Sequence, residues 1–175
     1  MEVVFIRHAQ SHFNVYKASL PVEERDIHPL PGHRNCGITD HGIDQCAQLR
    51  EKLHRENNHI FDAIVISPLK RTQETFRHLE LHSERICTNA LCREFAVHEC
   101  DFLEDEEILI ESKDDLLKRI ETFKSWLLSE FAEHKRIAVI SHGDFIHAMF
   151  EPHKNSHEES QFWLDNCQTI RFQLM

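Results

Sequence analysis

The chain has 175 residues, of which 41% are hydrophobic and 29% charged, as expected for one ordinary globular domain. Its 20 Lys and Arg stand against 30 Asp and Glu, and this formal net charge of -10 argues against nonspecific binding to nucleic acid or anionic membranes. The longest apolar runs, such as Ala63–Ile66, are far shorter than the roughly 20 residues of a membrane span.

The spacing of apolar residues alternates along the chain between the two-residue period of a strand and the period of a helix, and this alternation predicts the secondary structure. Strands are predicted at Glu2–Ile6, Phe61–Ile66, Arg85–Thr88 and Arg136–Ile140, with an edge strand at Ile170–Leu174. A first helix is predicted at Asp40–Arg55, with Thr39 or Asp40 as its N-cap. A second is predicted to run to about Leu79, with Ser67 as N-cap and Pro68 as first helical residue. Two more are predicted, one from Ser112 onward and one from the end of the strand Arg136–Ile140 to about Phe150. The alternation predicts a single α/β domain over residues 1–175, a three-layer α/β/α sandwich with a mostly parallel central sheet.

Two long segments, Val15–Ile38 and Phe95–Glu111, show no clear period. Loops of this length are usually functional or mobile. The acidic run Glu104–Glu107 inside the second segment is expected to be solvated surface. Within these segments His28, His33, His98 or Arg34 could meet a second anionic group of a ligand, or could equally lie at the surface.

Basic side chains follow three of the predicted strands. Arg7 and His8 follow the first strand, Arg71 lies one turn into the helix after the second, and His142 follows the fourth. The ligand crevice of an open parallel sheet lies outside the carboxyl ends of its strands, so these side chains are expected to converge. An Arg side chain matches phosphate oxygens two at a time, and helix N-termini would add backbone N–H donors. The sequence therefore predicts a pocket for a compact anion, with phosphate the obvious one.

The same residues resemble a known family. RHAQS at 7–11, with Asn14 beyond, resembles the signature of the histidine phosphatase superfamily (branch 1), the phosphoglycerate mutase-like enzymes, although Ala9 replaces the commoner Gly. Three more motifs follow in the family's order: ITDHG at 38–42, SPLKRTQET at 67–75 and SHG at 141–143. Four ordered motifs are specific where each alone would be weak. The resemblance implies the phosphoglycerate mutase-like fold, with small cap-like segments near 15–38 and 95–111.

The resemblance also implies a role for each matched residue. His8 is the expected nucleophile, which forms a phosphohistidine, and His142 is a second catalytic histidine. The phosphate pocket is expected to be lined by Arg7, Ser11, Asn14, Arg71 and His142. Glu94 matches the acid that protonates the leaving group, although Glu99 and Asp101 lie close enough in sequence to serve instead.

Elementary chemistry supports these roles. An imidazole attacks phosphorus only when its nitrogen is unprotonated, and neighbouring Arg charges disfavour the imidazolium. Catalysis of phosphoryl transfer is mostly positioning and electrostatic stabilisation of the charged oxygens. A carboxyl kept protonated by burial can then protonate the departing alkoxide.

The sequence thus predicts a histidine acid phosphatase-like phosphoric monoester hydrolase that acts on a small phosphorylated substrate. Two alternatives stay open: a phosphomutase of the same fold, and a catalytically idle phosphate-binding module. The sequence contains no GxxxxGK, GxGxxG or GxSxG motif, so it does not support a P-loop nucleotidase, a Rossmann dehydrogenase or an α/β-hydrolase.

No cofactor and no metal site are expected. The pairs His78/His82 and His153/His157 have i, i+4 spacing, but no HExxH occurs. With no CxxC pair and no signal-peptide pattern, we expect the six Cys to be reduced and the protein to be cytoplasmic. Oligomeric state is open, since the Ile170–Leu174 edge strand leaves dimerisation possible.

Overall fold

One mixed sheet forms the centre of the molecule. The computed structural model describes residues 1–25, 27–154 and 162–175. The five strands are β1 (Glu2–Arg7), β2 (Ala63–Ile66), β3 (Ile86–Thr88), β4 (Arg136–Ser141) and β5 (Thr169–Gln173). Their order is β3-β2-β4-β1-β5, and all neighbouring pairs are parallel except β5 with β1, which is antiparallel.

The helices are α1 (His12–Ser19), α2 (Asp40–Arg55), α3 (Lys70–Leu79), α4 (Lys113–Glu130) and α5 (Gly143–Phe150). The last four cover both faces of this sheet, whereas Phe13 of α1 packs against Leu30 and Cys100. Alternate residues of each central strand point to opposite faces, so Val3 and Phe5 pack with α4 and α5, whereas Val4 and Ile6 pack with α2 and α3. The predicted three-layer α/β/α fold is confirmed. Among the described residues, no helix is both long and apolar enough to cross a membrane.

The local sequence signals explain most helix boundaries. Thr39 caps α2 by accepting a hydrogen bond from the Gly42 N–H at 3.0 Å, and Ser112 caps α4 through the Asp115 N–H at 3.2 Å. The edge strand predicted at Ile170–Leu174 is β5, displaced by one residue. The two helices form where the sequence predicts them because the capping side chain and the stripe of apolar residues indicate the same helix start.

Three local predictions are wrong. Ser67 does not cap α3, because the helix begins at Lys70 after the extended residue Leu69 and the Ser67 hydroxyl bonds to His142 instead. The second strand begins at Ala63 rather than Phe61. The helix α1 lies partly inside the segment Val15–Ile38, which was expected to be a loop because its apolar residues show no periodic spacing. In the first case a long-range contact replaces a local one.

Candidate active site

The strand ends that carry the candidate residues are joined by backbone hydrogen bonds. Arg7 pairs with Ser141 across β1 and β4, and the His8 N–H donates to the Ser141 carbonyl at 3.0 Å. The Ser67 N–H donates to the Ile140 carbonyl at 3.1 Å, which ties in the end of β2. The three segments therefore meet at the carboxyl edge of the sheet, as expected for a parallel arrangement.

A cavity of about 600 Å³ opens at this edge. The predicted site residues that line it are Arg7, His8, Ser11, Asn14, Arg71, Glu94 and Asp101. His142 is fully buried behind the wall, with its ring centroid 5.2 Å from that of His8. Glu99 is not among the lining residues, and its carboxylate accepts a hydrogen bond from the Gly32 N–H at 2.5 Å.

The hydrogen bonding of His8 fixes which ring nitrogen is free. His8 is 2% exposed, and its Nδ1 lies 2.7 Å from the Ala9 carbonyl oxygen. A carbonyl can only accept, so Nδ1 carries the proton and donates, which leaves Nε2 of the neutral ring with a lone pair. Burial, and after it the charges of Arg71 and Arg7, hold the pKa of His8 well below its ordinary value of 6.5. His8 thus has the protonation state that a nucleophile needs.

His142 stands behind His8 in a similar electrostatic environment. Its Nε2 lies 2.7 Å from the Ser67 hydroxyl, and its Nδ1 is buried without a hydrogen-bond partner. Burial and the Arg71 charge lower the pKa of His142 well below 6.5. His142 therefore lies beside His8 with one ring nitrogen unpartnered, although it is not among the residues that line the cavity.

Arg7 is held between an aromatic ring and the start of α5. Its Nη1 donates to the Leu164 carbonyl at 2.6 Å, its guanidinium carbon lies 5.1 Å from the Trp163 ring centroid, and its Nε is buried without a partner. A Cβ at Gly143 would come within 3.1 Å of that guanidinium carbon, so a glycine lets α5 begin this close to it. Sequence reasoning did not identify Trp163 or Leu164, because no motif marks that segment.

Arg71 is fixed by a buried carboxylate. Its Nη1 donates to the Cys100 carbonyl and its Nη2 to Asp101 Oδ1, both at 2.9 Å. The other oxygen, Asp101 Oδ2, accepts from the His98 N–H at 2.9 Å. Every one of these groups is more than nine-tenths buried, so the pair is rigid. In this arrangement Asp101 orients Arg71, which differs from the proton-donor role that was left open for it.

Glu94 is the carboxyl group in the wall nearest the two histidines. Glu94 Oε1 accepts hydrogen bonds from the N–H groups of Phe95 and Phe145, each at 3.0 Å. Burial, and then the negative charges of Asp144 and Asp101, raise the pKa of Glu94 to about 8. The carboxyl is therefore largely protonated near neutral pH and can donate a proton.

Ser11 and Asn14 form the first turn of α1 beside His8. Ser11 caps the helix by accepting from the Asn14 N–H at 3.2 Å, and Asn14 Oδ1 accepts from the Ser11 N–H at 3.0 Å. A further residue that the sequence did not reveal, Asn166, donates from Nδ2 to the His8 carbonyl at 3.0 Å. No local sequence motif marks this contact, because its two residues are 158 positions apart in the chain.

Backbone donors play a smaller part here than the sequence analysis expected. The N–H of Ala9 donates to Thr75 Oγ1 at 2.9 Å, and the N–H of Gln10 donates to Gln45 Oε1 at 2.8 Å. Together with the Ser11 N–H, the amides that follow His8 are therefore committed to the protein itself. Side chains supply the donors on this side of the cavity.

A cation fits this site poorly, although His8, Glu94 and His142 each place one ligand atom within 4.8 Å of the others. The Arg7 and Arg71 charges that lower the pKa of His8 would repel a metal ion in the same way. The positive charges around these three residues make the site better suited to an anion. Of the histidine pairs considered for metal binding, His78 lies in α3 but His82 lies beyond its end at Leu79, and His157 lies outside the described residues.

Comparisons with known proteins agree with this geometry. The family described as the histidine phosphatase superfamily (branch 1) matches residues 3–109. No curated protein sequence matches the chain. Among solved structures, the alpha-ribazole phosphatase of Shigella flexneri is 19% identical with a TM-score of 0.68, covering 98% of this chain and 89% of its own.

Two further structures show the same fold. The phosphoserine phosphatase of Entamoeba histolytica in complex with 3-phosphoglyceric acid is 17% identical with a TM-score of 0.65, covering 98% of this chain and 90% of its own. The mycobacterial glucosyl-3-phosphoglycerate phosphatase is 17% identical with a TM-score of 0.64, covering 97% and 91%. Identities this low establish the likeness of the fold alone.

Proposed function

The chain belongs to the histidine phosphatase superfamily (branch 1), and from that premise we propose that it is a phosphoric monoester hydrolase which works through a phosphohistidine on His8. The observation that carries the proposal is the unprotonated Nε2 of His8, fixed by the bond from Nδ1 to the Ala9 carbonyl at the base of a cavity that also holds two guanidinium groups. A phosphatase that works through a covalent intermediate needs such a nucleophile beside an anion pocket.

In the first step, His8 Nε2 attacks phosphorus. The N–P bond forms as the bond from phosphorus to the ester oxygen breaks, and the Glu94 carboxyl gives its proton to the departing alkoxide. The raised pKa of Glu94, about 8, supports this role because the group then still holds its proton near neutral pH. Arg7 and Arg71 balance the negative charge of the transferring oxygens, and the His142 ring lies beside that of His8.

In the second step, water attacks the phosphohistidine. Glu94, now a carboxylate, accepts a proton from that water, and the N–P bond breaks to return neutral His8 and inorganic phosphate. Splitting the reaction in two lets one carboxyl act first as acid and then as base. Asp101 is a positioning residue in this scheme, because its contact is with Arg71.

The proposal extends to the surroundings of the site. Segments 15–38 and 95–111 act as caps, which is supported by Lys17, Val22 and His28 from the first and Phe95 and Val97 from the second lining the cavity. We place the whole of residues 1–175 in one domain built on the single described sheet. We also infer a reducing, cytoplasmic setting, because the sequence has no CxxC pair.

The assay that tests the proposal is release of inorganic phosphate from p-nitrophenyl phosphate, with and without a chelator. We expect turnover that the chelator does not reduce, and loss of turnover in His8→Ala with an unchanged melting temperature. A phosphomutase would instead return the phosphoryl group to an added alcohol or sugar phosphate, which product analysis detects. Tight phosphate binding without any turnover would show an idle binding module and overturn the proposal.

A further inference from the structure

The cavity is much larger than a phosphate group needs. At about 600 Å³ it falls in the range of pockets that enclose whole small molecules. We infer that its outer part binds a second anionic group of the substrate through Lys17 and Arg25, so that the substrate is a small phosphomonoester with a carboxylate or second phosphate across an apolar spacer. This inference rests on the proposed function and deepens it.

The helix α1 places Lys17 on the same wall as the phosphate end. Asn14 and Lys17 are three residues apart, so they lie on one face of the helix in successive turns, and both line the cavity. At a rise of 1.5 Å per residue, Lys17 lies about 9 Å along the axis from Ser11. That separation is suited to a substrate whose two charged ends are several bonds apart.

Arg25 is folded back against the same helix. Its Nε donates to the Leu20 carbonyl at 2.9 Å and its Nη2 to the Ala18 carbonyl at 2.8 Å. The guanidinium is therefore held in place by neutral acceptors, and it lines the cavity together with Lys17. A side chain that is already ordered loses less entropy when it binds a ligand.

Neither of these positive charges has an acidic partner in the described part of the chain. Within residues 1–25, 27–154 and 162–175, no carboxylate forms an ion pair with Lys17 or Arg25. This is unexpected in a chain with a net charge of -10, where carboxylates outnumber cations. Two unbalanced cations on one cavity wall attract an anion, and the enclosed phosphate pocket nearby already accounts for the first.

Part of the cavity wall is apolar, beside polar lining residues such as Lys113, Asp144 and His147. Phe13, Phe95, Val97, Leu116 and Trp163 line the cavity. Aromatic and aliphatic surfaces favour an apolar or planar spacer over a strongly hydrated one. Of the residues that the sequence suggested for a second anion, Arg34 donates to the Leu103 and Glu106 carbonyls instead, whereas His28 and His98 line the cavity.

The test compares ligands of one shape and different charge. Isothermal calorimetry measures binding of phenylphosphonate, 4-carboxyphenylphosphonate, 1,4-phenylenebisphosphonate and 4-(aminomethyl)phenylphosphonate to the full chain. The matching aryl phosphates are used as substrates. We expect the carboxylate or bisphosphonate to bind at least about tenfold more tightly than phenylphosphonate, the factor for one charge-assisted hydrogen bond, and the amine to bind more weakly. The two anionic ligands distinguish a carboxylate site from a second phosphate site.

The double variant Lys17→Gln/Arg25→Gln is compared with Arg77→Gln/Lys135→Gln, which removes the same charge from exposed positions that do not line the cavity. We expect the preference for the second anionic group to fall to nearly onefold in the first variant and to persist in the control. If the double variant melts early, Lys17→Glu alone replaces it and should invert the order of the anionic and amine ligands.

Two results overturn the inference: a wild type that binds all four phosphonates equally, or a preference that survives the double variant. A failure of the proposed function looks different. In that case none of the aryl phosphates is hydrolysed, although the phosphonates still bind with the predicted preference.

Discussion

Replacing Glu94 with Gln separates the proton chemistry of the site from its packing. The two backbone N–H groups that donate to Glu94 Oε1, from Phe95 and Phe145, can donate equally to the amide oxygen of Gln. The substitution therefore removes the titrating proton and keeps the hydrogen bonds. Both stability and activity should respond in a pH-dependent way.

The effect on stability follows from the pKa of Glu94, which folding raises from 4.5 to about 8. Between these values the folded protein holds a proton that the unfolded chain has released, so the free energy of unfolding falls as the pH rises through this window. At 1.36 kcal/mol per unit, the upper limit of that loss is roughly 5 kcal/mol. Relative to wild type, Glu94→Gln should gain stability steadily between about pH 5 and pH 8.5.

The effect on activity depends on the leaving group. With an alkyl phosphate, whose alkoxide needs a proton, we expect kcat/KM of Glu94→Gln to fall by about 10²- to 10⁴-fold. With p-nitrophenyl phosphate, which needs little protonation, the loss should be much smaller. Wild-type kcat/KM for the alkyl phosphate should decline above about pH 8 as Glu94 loses its proton.

Urea unfolding across the pH range and steady-state kinetics on both substrates measure these effects. Glu99→Gln is the matched control, because Glu99 bonds to the Gly32 N–H and does not line the cavity. An unfolding free energy whose pH dependence is the same in Glu94→Gln and wild type would refute the reasoning. So would an equal loss on both substrates, or a larger loss in Glu99→Gln.

Four other substitutions, at three residues, test the supporting contacts. Arg71→Lys should lower kcat/KM about 10- to 100-fold because a point charge cannot replace the planar fork, and equal activity would contradict the pocket geometry. Arg71→Ala should also cost about 3–5 kcal/mol in urea unfolding because it leaves Asp101 buried and unpaired, and a variant as stable as wild type would refute the pairing. Asp101→Asn should raise KM for the phosphate ester and weaken vanadate binding without removing turnover, whereas complete inactivity would make Asp101 a proton donor. Ser67→Ala should reduce kcat about tenfold and cost about 1 kcal/mol of stability as His142 Nε2 loses its partner, and unchanged kcat would argue against a role for that contact.

The parts of the fold that the sequence predicted are those set by local pattern. The buried strand Arg136–Ser141, the capped helix after Thr39 and the stripe of α4 are each encoded within a few consecutive residues. The convergence of Arg7, His8 and Arg71 also followed from sequence, since parallel strands put their carboxyl ends at one edge, whereas Glu94 was found through the family resemblance.

The parts that were missed depend on contacts between distant residues. Ser67 was expected to cap α3, but its hydroxyl meets His142, 75 residues away, and that bond has no local signature. Arg7 is fixed by the Leu164 carbonyl, 157 residues away. The orienting role of Asp101 depends on a buried pair with Arg71 that only the folded chain brings together. In each case a tertiary contact decides which of several local possibilities is realised.

The central claim is that His8 Nε2 becomes covalently phosphorylated, and rapid chemical quench during a single turnover of radiolabelled substrate tests it most directly. The account predicts a phosphoryl group on wild-type protein that is labile in acid and stable in base, maps to the peptide containing His8, and is lacking in His8→Asn. Phosphate release by wild type with no such adduct at any quench time, or with an adduct at another residue, would contradict it.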